Sequence, residues 1–310
     1  MNLCSLLIEQ GPPVEEGPRS GKPAGPRRMD GPFPVHVFSA HVKSGAPARQ
    51  TGALRTAPAC VLMSVLLAIQ SAAVQAEEQA CPDNPDALST SRVITVDAAT
   101  TPRVGRKQFP DTLPLADKEV VLTFDDGPQP GTTAAVLDAL KRECVLATFF
   151  LIGRNAAANP ELARRELAEG HTVAHHSFRH PLLDRMPNDA AEAEIDHGFA
   201  AVDMALYGSA AARPRTPFFR FPGFASTAHL LDRLAARNIV VFGADLWASD
   251  WNPKSPDEEL RLVLDRLEAA RSGIVLFHDT KRQTAAMLPA FLRSLKAQGY
   301  RIVHVVPAAT

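Results

Sequence analysis

From Glu119 onward the chain alternates between two patterns of apolar and polar positions. Short apolar runs that read as strands occur at EVVLTF (119–124), ATFFLIG (147–153), HTVAHH (171–176), PFFRFP (217–222), IVVFGADLW (239–247), GIVLFHD (273–279) and YRIVHVV (300–306). Between them, apolar residues recur at helical spacing. Thr132 to Lys141 puts Val136, Leu137 and Leu140 on one face, and Pro160 to Ala168 opens on proline and closes at Gly170. Met186 to Leu206 is a long amphipathic stretch. Ser226 to Arg237 and Ser255 to Arg271 each begin on a capping serine, the second followed by acidic residues that suit the helix dipole, and Thr284 to Gln298 closes at Gly299. Strands alternating with helices predict parallel strands joined by crossovers. Seven strand runs in about 190 residues are too few for a regular eight-stranded barrel, which takes roughly 250 residues. The pattern predicts an α/β fold: a distorted (β/α) barrel of about seven parallel strands, in a single domain over 116–307, with no internal repeat.

The chain before this region reads differently. Residues 1–50 are rich in Gly and Pro and show neither period, as a non-globular segment does. Arg55 then precedes an apolar run from about Ala57 to Ile69, and Val74-Gln75-Ala76 offers a small-residue cleavage pattern. This is the form of a signal sequence over 51–76. The run is shorter than the roughly 20 residues of a membrane span, so no stable span is expected after cleavage. A start codon assigned too far upstream accounts for a leader that begins fifty residues in; the alternative is a disordered extension ahead of an anchor helix. No apolar run follows Arg27-Arg28, which argues against a twin-arginine leader. Residues 77–115 read as a loosely structured lead-in. The expected location is exported, periplasmic or extracellular.

Composition narrows the partners. The 310 residues are 45% hydrophobic, enough for a substantial core, and the formal net charge is -1. No basic excess points to nucleic acid or to an anionic membrane. The four cysteines, Cys4, Cys60, Cys81 and Cys144, form no CxxC, which argues against a cysteine zinc site or a thioredoxin-like motif. Only Cys81 and Cys144 follow the leader, and an oxidising compartment permits a disulfide between them.

The informative polar residues gather at the C-terminal ends of the strand runs. Asp125 and Asp126 follow the first; His176 and His180 follow the third; Arg220 sits in the fourth; Asp245, Asp250 and Trp251 follow the fifth; His278 and Asp279 end the sixth. A parallel barrel brings all these ends to one face, where such folds place their active sites. Two adjacent carboxylates repel and are penalised by burial, so Asp125-Asp126 calls for a compensating cation. An Asp with two His is a common open ligand set for Zn²⁺ or Fe²⁺. HHSFRHP supplies His176 and His180 at i, i+4 on a turn, with His175 read as packing or support rather than a third ligand.

The segments TFDDGP, HSFRHP, RFPGF, DW and LFH occur in this order and at this spacing. Together they resemble the five motifs of the polysaccharide deacetylases (carbohydrate esterase family four, with the nodulation-factor deacetylases), over about residues 118–306. That family folds as a distorted (β/α) barrel, in accord with the strand count, and the resemblance makes 116–307 a catalytic domain. It implies a divalent metal, zinc first among first-row ions, held by Asp126, His176 and His180. It further implies Asp125 as general base on a metal-activated water, oriented and kept ionised by Arg220, and His278 as general acid paired with Asp250. The Gly223 N–H is the implied oxyanion donor, and Leu276 and Trp251 are the walls of an acetyl pocket. The implied activity is removal of N-acetyl groups from an N-acetylglucosamine-containing glycan: peptidoglycan, a chitin-like oligomer or an exopolysaccharide.

The chain departs from the family pattern in motif three, which usually ends Pro-aromatic-Gly and here reads Pro222-Gly223-Phe224. His175 stands where Asn is usual, and both Asp245 and Asp250 are candidates to face His278. Two other functions fit the same residues: an O-deacetylase of the acetyl xylan esterase kind, or a non-catalytic glycan-binding protein. No GxSxG elbow supports a serine hydrolase, and the HxE and PCxxC of a zinc nucleobase deaminase are missing. Few aromatics lie on the candidate loops (Phe178, Phe224, Trp247, Trp251), which predicts an open cleft rather than a long sugar-stacking groove.

Overall fold

The structure is a computed structural model and describes residues 81–309. The expected non-globular stretch over 1–50 and the signal sequence over 51–76 lie outside the described residues. All strand pairings are parallel. The central strand β3 (Glu119–Asp125) lies between β4 (Thr148–Leu151) and β9 (Gly273–His278). From β4 the sheet continues through β5 (Thr172–His175), β6 (Phe218–Phe219) and β7 (Val240–Phe242). On the other side β9 pairs with β8 (Leu246–Trp247). No ladder joins β7 to β8. The three residues Gly243 to Asp245 carry the chain directly from one to the other, so the barrel is distorted at that seam.

Three strands extend this arrangement. β10 (Arg301–Pro307) pairs with the first residues of β3, below β4 and on the same edge. β1 (Thr90–Val96) adds to β10, and β2 (Arg103–Val104) adds to β7. The stretch 77–115, expected to be loosely structured, thus carries two strands. In β1 the apolar Val93 is half exposed and Arg92 pairs with Glu119, so its apolar alternation is weak. A disulfide joins Cys81 to Cys144 across 63 positions of sequence. A loop of that length makes a crosslink worth about 4 kcal/mol.

Helices α1 (Thr132–Arg142), α3 (Pro160–Ala168), α4 (Asn188–Tyr207), α5 (Ala228–Ala236), α6 (Pro256–Ala270) and α7 (Arg282–Ala297) fall where the periodicity places them. The extra helix α2 (Gly153–Ala158) begins at the last residue of the strand-like run 147–153. Ser255 caps α6 in a reciprocal capping box with Glu258. At α5 the cap is Thr227 rather than Ser226.

Strand parity then sorts side chains into two cores. Val120, Leu122 and Phe124 of β3 pack outward with Val136 and Leu140 of α1 and Phe291 of α7. Val121 of β3 joins Phe150, Ala174, Phe218 and Ile274 inside the barrel. The same parity points Asp125, His176, Arg220, Leu276 and His278 inward at the top.

At the other end of the barrel two histidines are buried and neutral. His304 Nε2 lies 3.2 Å from the Thr172 hydroxyl, and His171 Nδ1 accepts the Ala147 N–H. Burial pushes His171 down to about 3 and His304 to about 4. The unfolded chain takes up a proton at each near the ordinary value of 6.5. Between those values the unfolded state binds more protons, so stability falls as pH falls below about 6.5, with a slope approaching about two protons from this pair. Urea unfolding between pH 4.5 and 7 measures it, and His304→Gln is expected to reduce the slope by about one proton. An unchanged slope in that variant would count against this origin.

Candidate active site

Asp125 is the last residue of β3 and faces inward, 2% exposed. Its Oδ1 accepts a hydrogen bond from Arg220 Nη1 at 2.6 Å. The same guanidinium, itself fully buried, donates to Thr123 Oγ1 (2.9 Å), Gly243 O (2.7 Å) and Phe242 O (3.3 Å) and lies over the Phe150 ring. Arg220 was expected to keep Asp125 ionised. Burial raises the carboxyl from its ordinary value, and the charge and hydrogen bond of Arg220 pull it back down.

Asp126 follows with φ 77°, a left-handed conformation, and its side chain opens on the same cleft as that of Asp125: Asp125 Oδ2 and Asp126 Oδ1 each lie 3.7 Å from His176 Nε2. Such strain is a feature of functional sites. The turn is held by Asn155 Nδ2, which donates to the Asp126 carbonyl at 2.8 Å. Gly127 comes next, where a Cβ would run into the buried Asp279 carboxylate.

Asp126, His176 and His180 offer one ligand atom each, all within 4.8 Å of one another. His176 Nδ1 donates to the Arg220 carbonyl at 2.7 Å, which leaves Nε2 as its free atom. Burial pushes this imidazole down to about 3, so it is neutral and its lone pair is available. Asp126 Oδ1 lies 3.7 Å from His176 Nε2 and 3.4 Å from His180 Nε2. That oxygen is buried and receives no hydrogen bond. An orphaned carboxylate oxygen facing two imidazoles fits a divalent cation, which would satisfy all three groups at once. His175 points the other way: its Nε2 meets Thr216 O at 3.1 Å and its ring packs against Phe199.

His278 Nδ1 donates to Asp250 Oδ1 at 2.7 Å, and the His278 backbone N–H donates to Oδ2 at 2.6 Å. Burial alone would pull the imidazole down. The hydrogen bond and charge of Asp250, with Asp126 and Asp125 behind it, outweigh that and raise it to about 9. The ring therefore enters the neutral range protonated. Asp245, the other candidate partner, is occupied elsewhere: it accepts from Thr112 Oγ1 (2.6 Å), Arg106 N (2.9 Å) and Ile274 N (2.8 Å).

Asp125, Asp126, His176, His180 and His278 open on one cleft of about 390 Å³, which Gly223, Trp251 and Leu276 also line. Leu276 is buried, while Trp251 is 47% exposed at the rim. Trp247, which also lines the cleft, carries Phe224 stacked at 6.1 Å and Lys107 over its ring at 4.9 Å. In the departed motif, Gly223 and Phe224 both take φ 58°, so a bulky residue holds a left-handed position where the family pattern has glycine. Phe221 and Lys281 also line the cleft, and nothing in the sequence singled them out.

A family model described as polysaccharide deacetylase matches residues 113–241. The chain is 33% identical over 205 residues to the chitooligosaccharide deacetylase of a Bradyrhizobium species, covering 61% of this chain and 90% of that protein. It belongs to the polysaccharide deacetylase family. This deacetylase-family chain is also 35% identical over 189 residues to the peptidoglycan-N-acetylglucosamine deacetylase PgdA of Listeria monocytogenes, covering 61% of this chain but only 38% of that longer protein. Among solved structures, a Bdellovibrio bacteriovorus peptidoglycan deacetylase superposes with a TM-score of 0.62 at 34% identity, covering 70% of this chain and 59% of that one. The family match ends at Val241, so the positions of Asp250 and His278 in this deacetylase fold rest on the geometry above.

Proposed function

We propose that the protein is an exported, metal-dependent hydrolase that removes N-acetyl groups from N-acetylglucosamine-containing glycans. One observation carries the reading. A buried carboxylate locked to an arginine and a histidine locked to a second carboxylate flank one Asp-His-His cluster in a single cleft. A binding protein needs neither a base nor an acid. Asp126, His176 and His180 would hold the ion, and a His₂Asp set suits Zn²⁺. When bound, the ion supplies Lewis-acid polarisation of the acyl oxygen and acidifies water.

The chain's own residues supply the rest. Asp125, oriented by Arg220, takes the proton of the water that attacks the acetyl carbonyl carbon. Gly223 presents its backbone N–H to the developing oxyanion. His278, held through Nδ1 by Asp250, gives its Nε2 proton to the leaving nitrogen as the C–N bond breaks. Acetate and a free amine leave. Leu276 and Trp251 wall the side where a methyl group would sit.

The relatives' names favour amino-sugar polymers, with peptidoglycan and chitooligosaccharide the first candidates. The Cys81–Cys144 disulfide supports an oxidising, exported setting. Among the described residues no helix is long and apolar enough to cross a membrane.

The test is acetate release by the zinc-reconstituted protein from N-acetylglucosamine oligomers, peptidoglycan and acetylated xylan side by side. Release from an amino-sugar substrate is expected, lost on chelation and restored by Zn²⁺. Release from xylan alone would make it an O-deacetylase. Zinc bound with no release from any substrate, or release indifferent to chelator, would sink the reading.

A further inference from the structure

Behind the acid pair, side chains from three segments form one hydrogen-bonded line. Asp250 lies in the loop after β8, Glu259 on the first turn of α6 and Thr284 on the first turn of α7. Thr284 Oγ1 lies 2.9 Å from Asp250 Oδ2 and 2.9 Å from Glu259 Oε1. All three residues are buried.

A hydroxyl carries one proton and cannot donate to two carboxylates. With both ionised, one of the two contacts would set lone pair against lone pair in a buried space. The set closes only if one carboxyl holds a proton. Asp250 already accepts two donors from His278, as an anion does. Glu259 has Thr284 as its hydrogen-bond partner at Oε1, and its buried Oε2 receives none. The proton therefore belongs on Glu259. In agreement, burial pushes Glu259 up to about 7, although the Thr284 hydroxyl opposes the rise; the charge of Asp250 adds to it, and Lys254 and His278 oppose it. Burial pushes Asp250 up as well, but the hydrogen bonds and charge of His278, with the Thr284 hydroxyl, bring it below its ordinary value.

We propose that protonated Glu259 and Thr284 are positioning residues for the His278 proton donor: Glu259 donates to Thr284, Thr284 donates to Asp250 Oδ2, and Asp250 Oδ1 is thereby fixed on His278 Nδ1–H. The line ties the first turns of two packed helices to the imidazole. It also keeps a second negative charge from standing behind His278. The inference rests on the reading of His278 as the acid.

The test uses Thr284→Val, Glu259→Leu and Glu259→Gln in the full chain. Two readouts apply: kcat and KM for acetate release, and the His278 Nδ1–H proton resonance in chelated protein. Thr284→Val and Glu259→Leu are expected to lower kcat about tenfold, the effect of losing one hydrogen bond to a charged group, with KM little changed. In both, the His278 proton exchanges faster with water and its resonance broadens. Glu259→Gln restores both readouts, because a carboxamide N–H donates to Thr284 as the protonated carboxyl does and cannot ionise. A Gln variant as impaired as the Leu variant would overturn the proposal. So would an unchanged resonance and kcat in Thr284→Val and Glu259→Leu. If Thr284→Val does not fold, the two Glu259 variants decide alone. His278→Gln separates the two ideas: full activity there defeats the acid reading, while the resonance still judges the line behind Asp250.

Discussion

Asp125→Asn is expected to lower acetate release at least about a thousandfold, about 4 kcal/mol of transition-state stabilisation, while zinc still binds. The substitution keeps the size and shape of the side chain and removes only its ability to take a proton. The ligand cluster of Asp126, His176 and His180 does not include it. Arg220 keeps its other acceptors, Thr123 Oγ1, Gly243 O and Phe242 O, and an amide oxygen still lies within its reach. Metal content by elemental analysis and kcat on the same sample check both halves. Activity within tenfold of the native protein would remove Asp125 as the base. Loss of zinc along with activity would make it a ligand instead. The contrast is Asp126→Asn, which alters the orphaned carboxylate between the two histidines and is expected to lose the metal itself.

The division of roles between these two neighbours was readable in part from sequence. Adjacent carboxylates at the end of an apolar run, with a histidine pair two strands later, locate the site and suggest a cation. That Asp125 turns inward follows from strand parity, and that Asp126 opens on the same cleft goes with one left-handed residue; a sequence does not show where a strand stops. The choice between Asp245 and Asp250 was out of reach for a different reason. Both follow the same run, and what distinguishes them is distant: Thr112 and the Arg106 N–H, from a segment that reads as loose, claim Asp245. The same segment hid β1 and β2, because their polar residues make side-chain contacts that local periodicity does not record. Glu259 and Thr284 were silent too. Each looks like an ordinary first-turn helix residue, and only the packing of α6 on α7 brings them together behind Asp250. The barrel itself was legible because buried parallel strands are nearly continuous apolar runs, and its helices because their caps and apolar faces are local.

Arg220→Met is expected to destabilise the metal-free protein by about 3–5 kcal/mol, the cost of breaking a buried ion pair from one side. Domains of this kind have only about 5–15 kcal/mol in all, so the variant stands near the limit of folding. Methionine fills much of the space over Phe150 but donates nothing. It leaves the Asp125 carboxylate buried without its cation, and it leaves Gly243 O and Phe242 O without the donors they now have. The Asp125 part of the cost comes from an unpaired charge, so removing that charge recovers it. Asp125→Asn in the Arg220→Met background is therefore expected to be more stable than Arg220→Met alone, although either substitution by itself weakens the protein. The four proteins of that double-mutant cycle, unfolded in urea with chelator present, give the coupling directly. A coupling under about 0.5 kcal/mol, the size seen between independent sites, would mean that Arg220 serves the seam between β7 and β8 through its carbonyl contacts rather than Asp125. A large coupling would make one guanidinium responsible for two things at once: holding the proposed base in line, and making a buried carboxylate tolerable at the end of β3.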